Sequence, residues 1–245
     1  MKEIQVSIII ATYNSEKTIR KAMDSVISQT FQEWECIVVD GLSKDKTIDI
    51  VNEYVKNDSR IWYISEKDIG IYDAFNKGWK LARGKWIHYL GSDDWLTKES
   101  FTNLLKEPIK NNVAIISGNC YCVKSPTIIT PNISVQFNGC HQGKITRRSV
   151  IERLGGFDES YPILADSELI FKIKYSNYEV INVDSFVAYF SMNGVSQKIS
   201  SIIKISKERI RLYKNYPKAQ KHPYFITIKL AIKNLMSNLK NQKNG

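Results

Sequence analysis

The sequence predicts an α/β fold in which a mostly parallel sheet is flanked by helices. Two observations indicate it. Runs of consecutive apolar and β-branched residues, the pattern of strands buried on both faces, recur along the first part of the chain. Segments with apolar residues at helical spacing separate these runs, and such alternation is typical of right-handed crossovers between parallel strands. With 245 residues, of which 43% are hydrophobic, the chain can bury one sizeable core.

The predicted elements follow one another regularly through the first part of the chain. Residues 4–11 predict a strand, and the helix that follows has Ser15 as its expected N-cap and extends to Ser28. A second helix contains Ile48 and Val55 at helical spacing. Further strands are predicted at residues 34–40, 61–64 and 85–90, and a further helix at residues 71–81.

The pattern changes after residue 112. Residues 113–117 predict another strand, and residues 119–146 predict a β-rich excursion beside the main sheet. We therefore expect one domain at residues 1–200, with halves 1–112 and 113–200, and a helical tail at residues 201–245. Later helices are predicted at residues 147–154, 166–176 and from 200 onward, and later strands at residues 179–183 and 186–190.

The net charge of +10 is concentrated in the tail. Residues 198–245 hold 12 Lys and Arg against one acid, whereas the rest of the chain is close to neutral. This asymmetry favours an anionic partner, either a membrane surface or a nucleic acid, with a solvated lysine-rich helix as the alternative. Between Tyr224 and Leu239 the apolar residues fall on one stripe, as in an interfacial membrane helix. The stripe also suits packing against the domain or against a second subunit of a homodimer. We expect peripheral membrane contact.

The four cysteines have no CxxC spacing and no disulfide-scaffold pattern, which favours reduced thiols in a cytosolic protein. Cys120, Cys122, Cys140 and His141 form a zinc-site alternative, although their spacing differs from that of common zinc motifs. No signal peptide and no apolar run of about 18 residues is visible. We therefore expect a cytoplasmic protein, either free or peripheral on the inner face of the cytoplasmic membrane.

Polar residues follow three of the predicted strands. Ligands bind beyond the carboxyl ends of parallel strands, where these residues would meet. Carboxylates grouped in one crevice favour a divalent cation with oxygen ligands, and such a cation suits a diphosphate. The chain has neither GxGxxG nor GxxxxGK[ST], which disfavours a dinucleotide-binding dehydrogenase and a P-loop enzyme. The residues are Thr12, Tyr13 and Asn14 after the first strand, Asp40 at the end of the second, and Ser92, Asp93 and Asp94 after the fourth.

Four motifs, in matching order and spacing, resemble glycosyltransferase family 2, whose members have the GT-A fold. They are ATYNS at residues 11–15, IVVDGLSKDKT at 37–47, GIYDAFNKG at 70–78 and YLGSDD at 89–94. The resemblance covers roughly residues 4–195, and the segment from Ser65 through Asp94 most resembles bacterial enzymes of surface-polysaccharide assembly. It implies a nucleotide-binding half at residues 1–112 and an acceptor-binding half at 113–200. The implied reaction moves a hexosyl or N-acetylhexosaminyl group from a nucleotide-diphosphate donor, usually a UDP-sugar, to a saccharide or lipid-linked acceptor.

The resemblance also implies roles for individual residues. Because Gly91 stands where the family's DxD motif begins with Asp, metal binding rests on Asp93 alone or on help from later residues. The implied roles are nucleotide binding by Thr12, Tyr13, Asn14, Asp40, Asp68, Ser92 and Asp93, binding of Mn²⁺ or Mg²⁺ by Asp93, and sugar or acceptor binding by Asp94, His141 and Gln142.

The family's general base lies at the start of a later helix, in a motif that resembles LADSEL at residues 164–169. Ala165 replaces the usual Glu of this motif, and Asp166 matches its Asp. The resemblance implies that Asp166 takes the proton of the acceptor hydroxyl in an inverting displacement. Glu168 is the alternative base, and a plain N-cap is the structural alternative for Asp166.

Two other classes of function stay open at this point. A nucleotidyltransferase of sugar phosphates has a similar crevice, but it normally carries a glycine- and lysine-rich signature after the first strand. A non-catalytic basic module could bind nucleic acid, but the sequence holds no aromatic-basic recognition motif. We therefore expect a nucleotide-sugar donor and a glycan or lipid-linked acceptor as partners, and no nucleic acid.

Overall fold

The computed structural model describes residues 3–134, 139–192 and 201–217. Its described strands form one mixed sheet flanked by helices, so the α/β prediction is confirmed. The strands are β1 (Val6–Thr12), β2 (Trp34–Asp40), β3 (Ile61–Ser65), β4 (Trp86–Gly91), β5 (Trp95–Leu96), β6 (Val113–Ser125), β7 (Ile128–Asn132), β8 (Lys144–Arg147) and β9 (Glu179–Ser191). The helices are α1 (Ile19–Ile27), α2 (Thr47–Asn57), α3 (Ile71–Leu81), α4 (Ser100–Leu104), α5 (Arg148–Leu154), α6 (Ala165–Lys174) and α7 (Ile202–Asn215), with a 3-10 turn at His141–Gly143.

The first half of the sheet is parallel. Strands β3, β2, β1 and β4 lie side by side in that order and run in the same direction. Thr12 at the end of β1 is the register partner of Asp40 at the end of β2, and Ala11 is the partner of Gly91 at the end of β4. Three strand ends therefore open at one edge of the sheet.

Helices cover both faces of this parallel half. Ile8 and Ile10 of β1 belong to an apolar cluster with residues of α1 and α2. Ile9 and Ala11 belong to a second cluster, with residues of α3, α5 and α6. Because both faces are packed, β1 and β2 are buried at every position. This double burial produces the continuous apolar runs from which the strands were predicted.

Helix α1 starts later than predicted. Its N-cap is Thr18, so the assignment of Ser15 as N-cap is wrong. The Ser15 hydroxyl instead lies 2.8 Å from the Ser92 hydroxyl, and the Ser15 carbonyl accepts the N–H groups of Thr18 and Ile19 at 3.0 Å. The contact between Ser15 and Ser92 therefore links the turn after β1 to the turn after β4.

The second half of the sheet is mixed and has longer strands than predicted. Strand β8 runs antiparallel between β4 and β6, β7 forms a hairpin with β6, and β9 pairs parallel to β6 and antiparallel to β5. The two strands predicted at residues 179–190 are one strand, β9, with a register shift near Asp184. Asn119 donates its amide N–H to the Asp184 carboxylate at 3.1 Å across this irregularity. That contact explains the polar interruption in the sequence.

Helix α7, the beginning of the predicted tail, packs on α6. The buried Glu208 carboxylate accepts the N–H groups of Ile163 and Leu164 at 3.0 and 2.9 Å, and Leu212 joins the cluster of α6. In the described part of the chain, none of the helices combines the length and hydropathy needed to cross a bilayer. The amphipathic stretch at residues 224–239 lies outside the described residues.

Candidate functional site

A cleft of about 810 Å³ opens where β1 and β4 end, against the start of α3. It lies at the carboxyl edge of the parallel strands, the edge that the topology makes available to a ligand. Its volume is typical of sites for small-molecule ligands. Its lining includes six residues that the sequence assigned to nucleotide binding: Thr12, Tyr13, Asn14, Asp68, Ser92 and Asp93.

Asp40 lies behind the cleft wall and is fully buried. Its carboxylate accepts the Ser43 N–H at 3.0 Å, the Ser65 hydroxyl at 2.7 Å and the Ser43 hydroxyl. The Ser43 oxygen in turn accepts the Asn14 N–H at 2.8 Å. The structure therefore connects Asp40 to the cleft through the Asn14 turn, and the carboxylate itself is occupied by protein donors.

Asp68 belongs to a loop that folds back over the end of β2. A Cβ atom on Gly41 would lie 2.5 Å from Asp68 Oδ2, so the absence of a side chain at Gly41 lets the Asp68 carboxylate lie against the end of β2. The other carboxylate oxygen accepts the Gly70 N–H at 3.1 Å. Burial raises the pKa of Asp68, and the charges of Asp73 and Asp40 raise it further. The loop is held to α3 by the Lys77 ammonium, which donates to the Lys67 carbonyl at 2.6 Å.

The turn after β4 gives two adjacent carboxylates different surroundings. Asp93 lines the cleft, and burial raises the pKa of its carboxyl group. Asp94 is only 3% exposed and accepts the Ser191 N–H at 2.7 Å and the Gln142 amide N–H at 2.9 Å. Burial raises the pKa of Asp94 to about 7. Asp94 therefore fastens the second half of the chain to this turn, whereas Asp93 faces the open space.

A side chain at position 91, where the sequence has Gly in place of the Asp of the DxD motif, would meet the carboxylates that follow it. A Cβ atom at this position would lie 2.6 Å from Asp94 Oδ2 and 3.1 Å from Asp93 Oδ1. The first distance is far below an ordinary contact between carbon and oxygen. The buried Asp94 thus occupies the space that a side chain at position 91 would need.

The residues suit a divalent cation only together with a ligand. Within residues 3–134, 139–192 and 201–217, no three His, Cys, Asp or Glu side chains converge to hold a metal ion by themselves. Mg²⁺ is commonly held by one or two carboxylates and by substrate phosphates, and Asp93 lies in the cleft where such a carboxylate is needed. The zinc alternative finds no support among the described residues, which contain no metal-binding group of His and Cys side chains, and the His141 ring stacks on Tyr89.

Asp166 stands in the first turn of α6. The N-cap of this helix is Leu164, so the N-cap alternative for Asp166 is wrong. Its Oδ1 accepts the Ser167 N–H at 2.7 Å and lies 3.2 Å from the Tyr72 hydroxyl, which also lies 2.9 Å from the Ile163 carbonyl. Tyr72 directly follows Ile71 of the cleft lining, so it connects the cleft wall to α6.

Glu168, the alternative base, is tied to other elements. It is buried, its Oε1 accepts the Tyr216 hydroxyl at 2.7 Å, and its Oε2 lies 3.1 Å from the Lys172 ammonium. The structure thus gives Glu168 a packing role between α6 and the end of α7.

Two residues of the 3-10 turn, His141 and Gln142, interact with the carboxylates of Asp166 and Asp94, respectively. The His141 ring is stacked on Tyr89, with centroids 5.6 Å apart, and burial lowers the pKa of His141 to about 4. Neither of its ring nitrogens has a hydrogen-bond partner among the described residues. Gln142 donates a hydrogen bond to Asp94, and the negative charge of Asp166 acts against burial by raising the pKa of His141. The His141–Gly143 turn therefore interacts with both Asp94 and Asp166.

Sequence reasoning missed two contributors. Tyr72 lies inside the GIYDAFNKG motif, and its place in that motif was the available signal. The Ser191 N–H that binds Asp94 comes from the far end of β9. A backbone donor carries no side-chain signal, so its contact follows only from the fold.

Comparisons with known proteins agree with this architecture. The family model "Glycosyl transferase family 2" matches residues 7–155. A PGL/p-HBAD biosynthesis glycosyltransferase of Mycobacterium tuberculosis is 30% identical over 205 residues, which cover 79% of each protein. Glycosyltransferase GlyA of Streptococcus pneumoniae is 32% identical over 117 residues, but the match covers 48% of this chain and only 17% of that protein.

Two solved structures share the fold. S. aureus TarS 1-349 in complex with UDP-GlcNAc superposes with a TM-score of 0.70 at 20% identity, covering 94% of this chain and 71% of that one. The mannosyltransferase PcManGT from Pyrobaculum calidifontis, in complex with GDP-Man and Mn2+, superposes with a TM-score of 0.69 at 19% identity, covering 94% and 68%. These likenesses show the GT-A fold.

The family model covers more than half of the chain, and the mycobacterial relative matches along most of both proteins. These matches favour a glycosyltransferase over the nucleotidyltransferase and the nucleic-acid-binding module that the sequence left open. The chain therefore belongs to glycosyltransferase family 2.

Proposed function

We propose that the protein transfers a sugar, with inversion, from a UDP-sugar to a saccharide or lipid-linked acceptor in glycan biosynthesis. One observation carries the proposal: a cleft of about 810 Å³ at the carboxyl edge is lined by Thr12, Asp68 and Asp93. The TarS structures with UDP and with UDP-GlcNAc support a nucleotide-sugar donor for a cleft on this fold.

The donor nucleotide is expected between the Thr12–Asn14 turn and the loop that carries Asp68. Asp40 was predicted to bind the donor nucleotide, and this role stays a prediction. Because its carboxylate already accepts three donors, we propose that Asp40 acts on the nucleotide through Ser43 and Asn14, which it holds in place.

Asp93 and Ser92 are proposed to face the diphosphate, with Asp93 as the protein ligand of Mn²⁺ or Mg²⁺. A bound cation would neutralise charge on the departing diphosphate. Asp94 is proposed to support this turn from below, because Gln142 and the Ser191 N–H fix its carboxylate. The sugar and acceptor would lie toward His141.

Asp166 is the proposed general base. It would accept the proton of the acceptor hydroxyl as that oxygen bonds to the anomeric carbon and the bond from that carbon to the diphosphate breaks. A single displacement of this kind inverts the anomeric configuration. The Tyr72 hydroxyl, 3.2 Å from Asp166 Oδ1, would orient the carboxylate. The uncharged His141 ring beside it would exclude water.

A donor screen tests the proposal. Hydrolysis and transfer are measured with UDP-, GDP- and dTDP-sugars in the presence of Mn²⁺, and UDP binding is measured by calorimetry. We expect Asp93→Asn and Asp166→Asn to abolish transfer, with UDP affinity falling only in Asp93→Asn. Asp49→Asn, an exposed carboxylate on α2, is the matched control. Full transfer in either site variant would contradict the role given to that residue.

The lipid-linked acceptor and the membrane contact are proposed from the basic tail. Flotation with anionic and neutral liposomes, with and without residues 218–245, measures the contact. Equal flotation of both forms would reject membrane docking through the tail. Sedimentation equilibrium of the same two forms distinguishes the alternative, in which the apolar stripe binds a second subunit.

A further inference from the structure

Three of the four cysteines lie together beside the 3-10 turn. Cys120 and Cys122 are two residues apart on β6 and so point to the same face of the strand. Cys122 Sγ lies 3.9 Å from Cys140 Sγ. Asn132 of the neighbouring β7 donates its amide N–H to Cys140 Sγ at 3.0 Å. Cys36 is separate, because it is buried within β2.

The members of this thiol cluster (Cys120, Cys122 and Cys140) differ in access and in charge. Cys120 is buried, whereas Cys122 and Cys140 are partly exposed. Hydrogen bonding from Cys120, helped by Cys122, by the charge of Lys144 and by Asn132, lowers the pKa of Cys140 to about 7 despite its burial. Burial raises the pKa of Cys122. A partly exposed thiol with a lowered pKa therefore lies 3.9 Å from a neighbouring thiol, which is the arrangement of an oxidisable pair.

The cluster is joined to the candidate active site by the chain itself. Cys140 directly precedes the His141–Gly143 turn. Within that turn, Gln142 holds the Asp94 carboxylate at 2.9 Å. A shift of Cys140 toward β6 would therefore displace Gln142, which holds the Asp94 carboxylate in the turn after β4.

We propose that Cys122 and Cys140 are an oxidative modification site: a hydroperoxide converts them to a disulfide that loosens the contact between Gln142 and Asp94. The Cys140 thiolate attacks hydrogen peroxide, the O–O bond breaks, and a sulfenic acid and hydroxide form. The Cys122 sulfur then displaces the sulfenic oxygen as water, so that two thiols and one peroxide give one disulfide and two waters. The sulfur atoms must close from 3.9 Å to about 2.05 Å.

This modification goes beyond the proposed function, since it concerns control of the site. The disulfide forms or fails to form whatever the protein transfers. Only its effect on turnover rests on the glycosyltransferase assignment.

Peptide mapping of the peroxide-treated full chain tests the proposal. Thiols are counted with a chromogenic disulfide reagent, and chymotryptic peptides are analysed without reduction, since cleavage after Tyr121 separates Cys120 from Cys122. We expect wild type to lose two of its four thiols, the control Cys36→Ala to lose two of its three, and both to yield a Cys122–Cys140 linkage. Cys122→Ala should yield no linkage and an oxidised Cys140.

Sugar transfer measured in parallel should fall several-fold with disulfide formation in wild type and Cys36→Ala, and should recover with dithiothreitol. A Cys120–Cys140 linkage, or an over-oxidised Cys140 beside a free Cys122 thiol in wild type, would overturn the pairing. A complete Cys122–Cys140 disulfide with unchanged transfer would overturn its coupling to the active site.

Discussion

The substitution Gly91→Ala tests the steric account of the departure from the DxD motif. A Cβ atom at this position would lie 2.6 Å from Asp94 Oδ2, and an ordinary contact needs about 3.5 Å, so one group must move by about 0.9 Å. Asp94 cannot move freely, because the Ser191 N–H and the Gln142 amide hold it at 2.7 and 2.9 Å. Leaving one of these buried polar groups without its hydrogen bond costs about 1–3 kcal/mol. We therefore expect the free energy of unfolding to fall by roughly 2 kcal/mol.

Urea unfolding followed by tryptophan fluorescence measures this change, with an unaltered m value as the sign that only stability has changed. The control is a double-mutant cycle with Asp94→Ala, which removes the obstructing carboxylate. In the Asp94→Ala background, Gly91→Ala should cost less than about 0.5 kcal/mol. An equal loss of stability in both backgrounds, or no loss in the wild-type background, would refute the steric explanation.

Three further outcomes are expected. Tyr72→Phe keeps the aromatic packing but removes the hydroxyl 3.2 Å from Asp166, so kcat should fall about tenfold with little change in UDP affinity by calorimetry. Glu208→Ala removes the acceptor of two N–H groups and should lower the free energy of unfolding by about 1–3 kcal/mol in urea, whereas the same change at exposed Glu107 should have little effect. Burial lowers the pKa of His88 from 6.5 to about 4, so its contribution to stability is complete above pH 6.5 and falls as the pH drops toward 4, by about 3 kcal/mol in all. Unfolding curves of wild type and His88→Phe between pH 7 and 4 measure this slope, and parallel curves would contradict it.

The parallel half of the fold was predictable because its signal is local. Strands packed on both faces must be apolar at consecutive positions, and β2 was predicted at its observed bounds for this reason. The location of Thr12, Ser92 and Asp93 at one edge then follows from the parallel direction of the strands. In this region, the local sequence pattern is therefore enough to predict both the strands and the edge at which their polar residues meet.

The second half was less predictable because its pattern depends on partners that are distant in sequence. The pairing of β9 with β6 contains a register shift, at which Asn119 contacts Asp184. Because this polar contact interrupts the apolar pattern, the sequence of β9 resembles two short strands. The division of roles between Asp93 and Asp94 depends likewise on Ser191, which is 97 residues away from Asp94 in the chain. Two adjacent aspartates are equivalent in sequence, and only the fold distinguishes them.

The contacts around the candidate site connect the two halves of the sequence in both directions. Asp94 of the first half is fixed by Gln142 and by the Ser191 N–H of the second. Tyr72 of the first half contacts Asp166 of the second. Each side thus positions a carboxylate that belongs to the other, and removing a partner would take one hydrogen bond from that carboxylate. The two halves therefore pack against each other, and the geometry of the proposed donor cleft and that of the proposed base depend on each other.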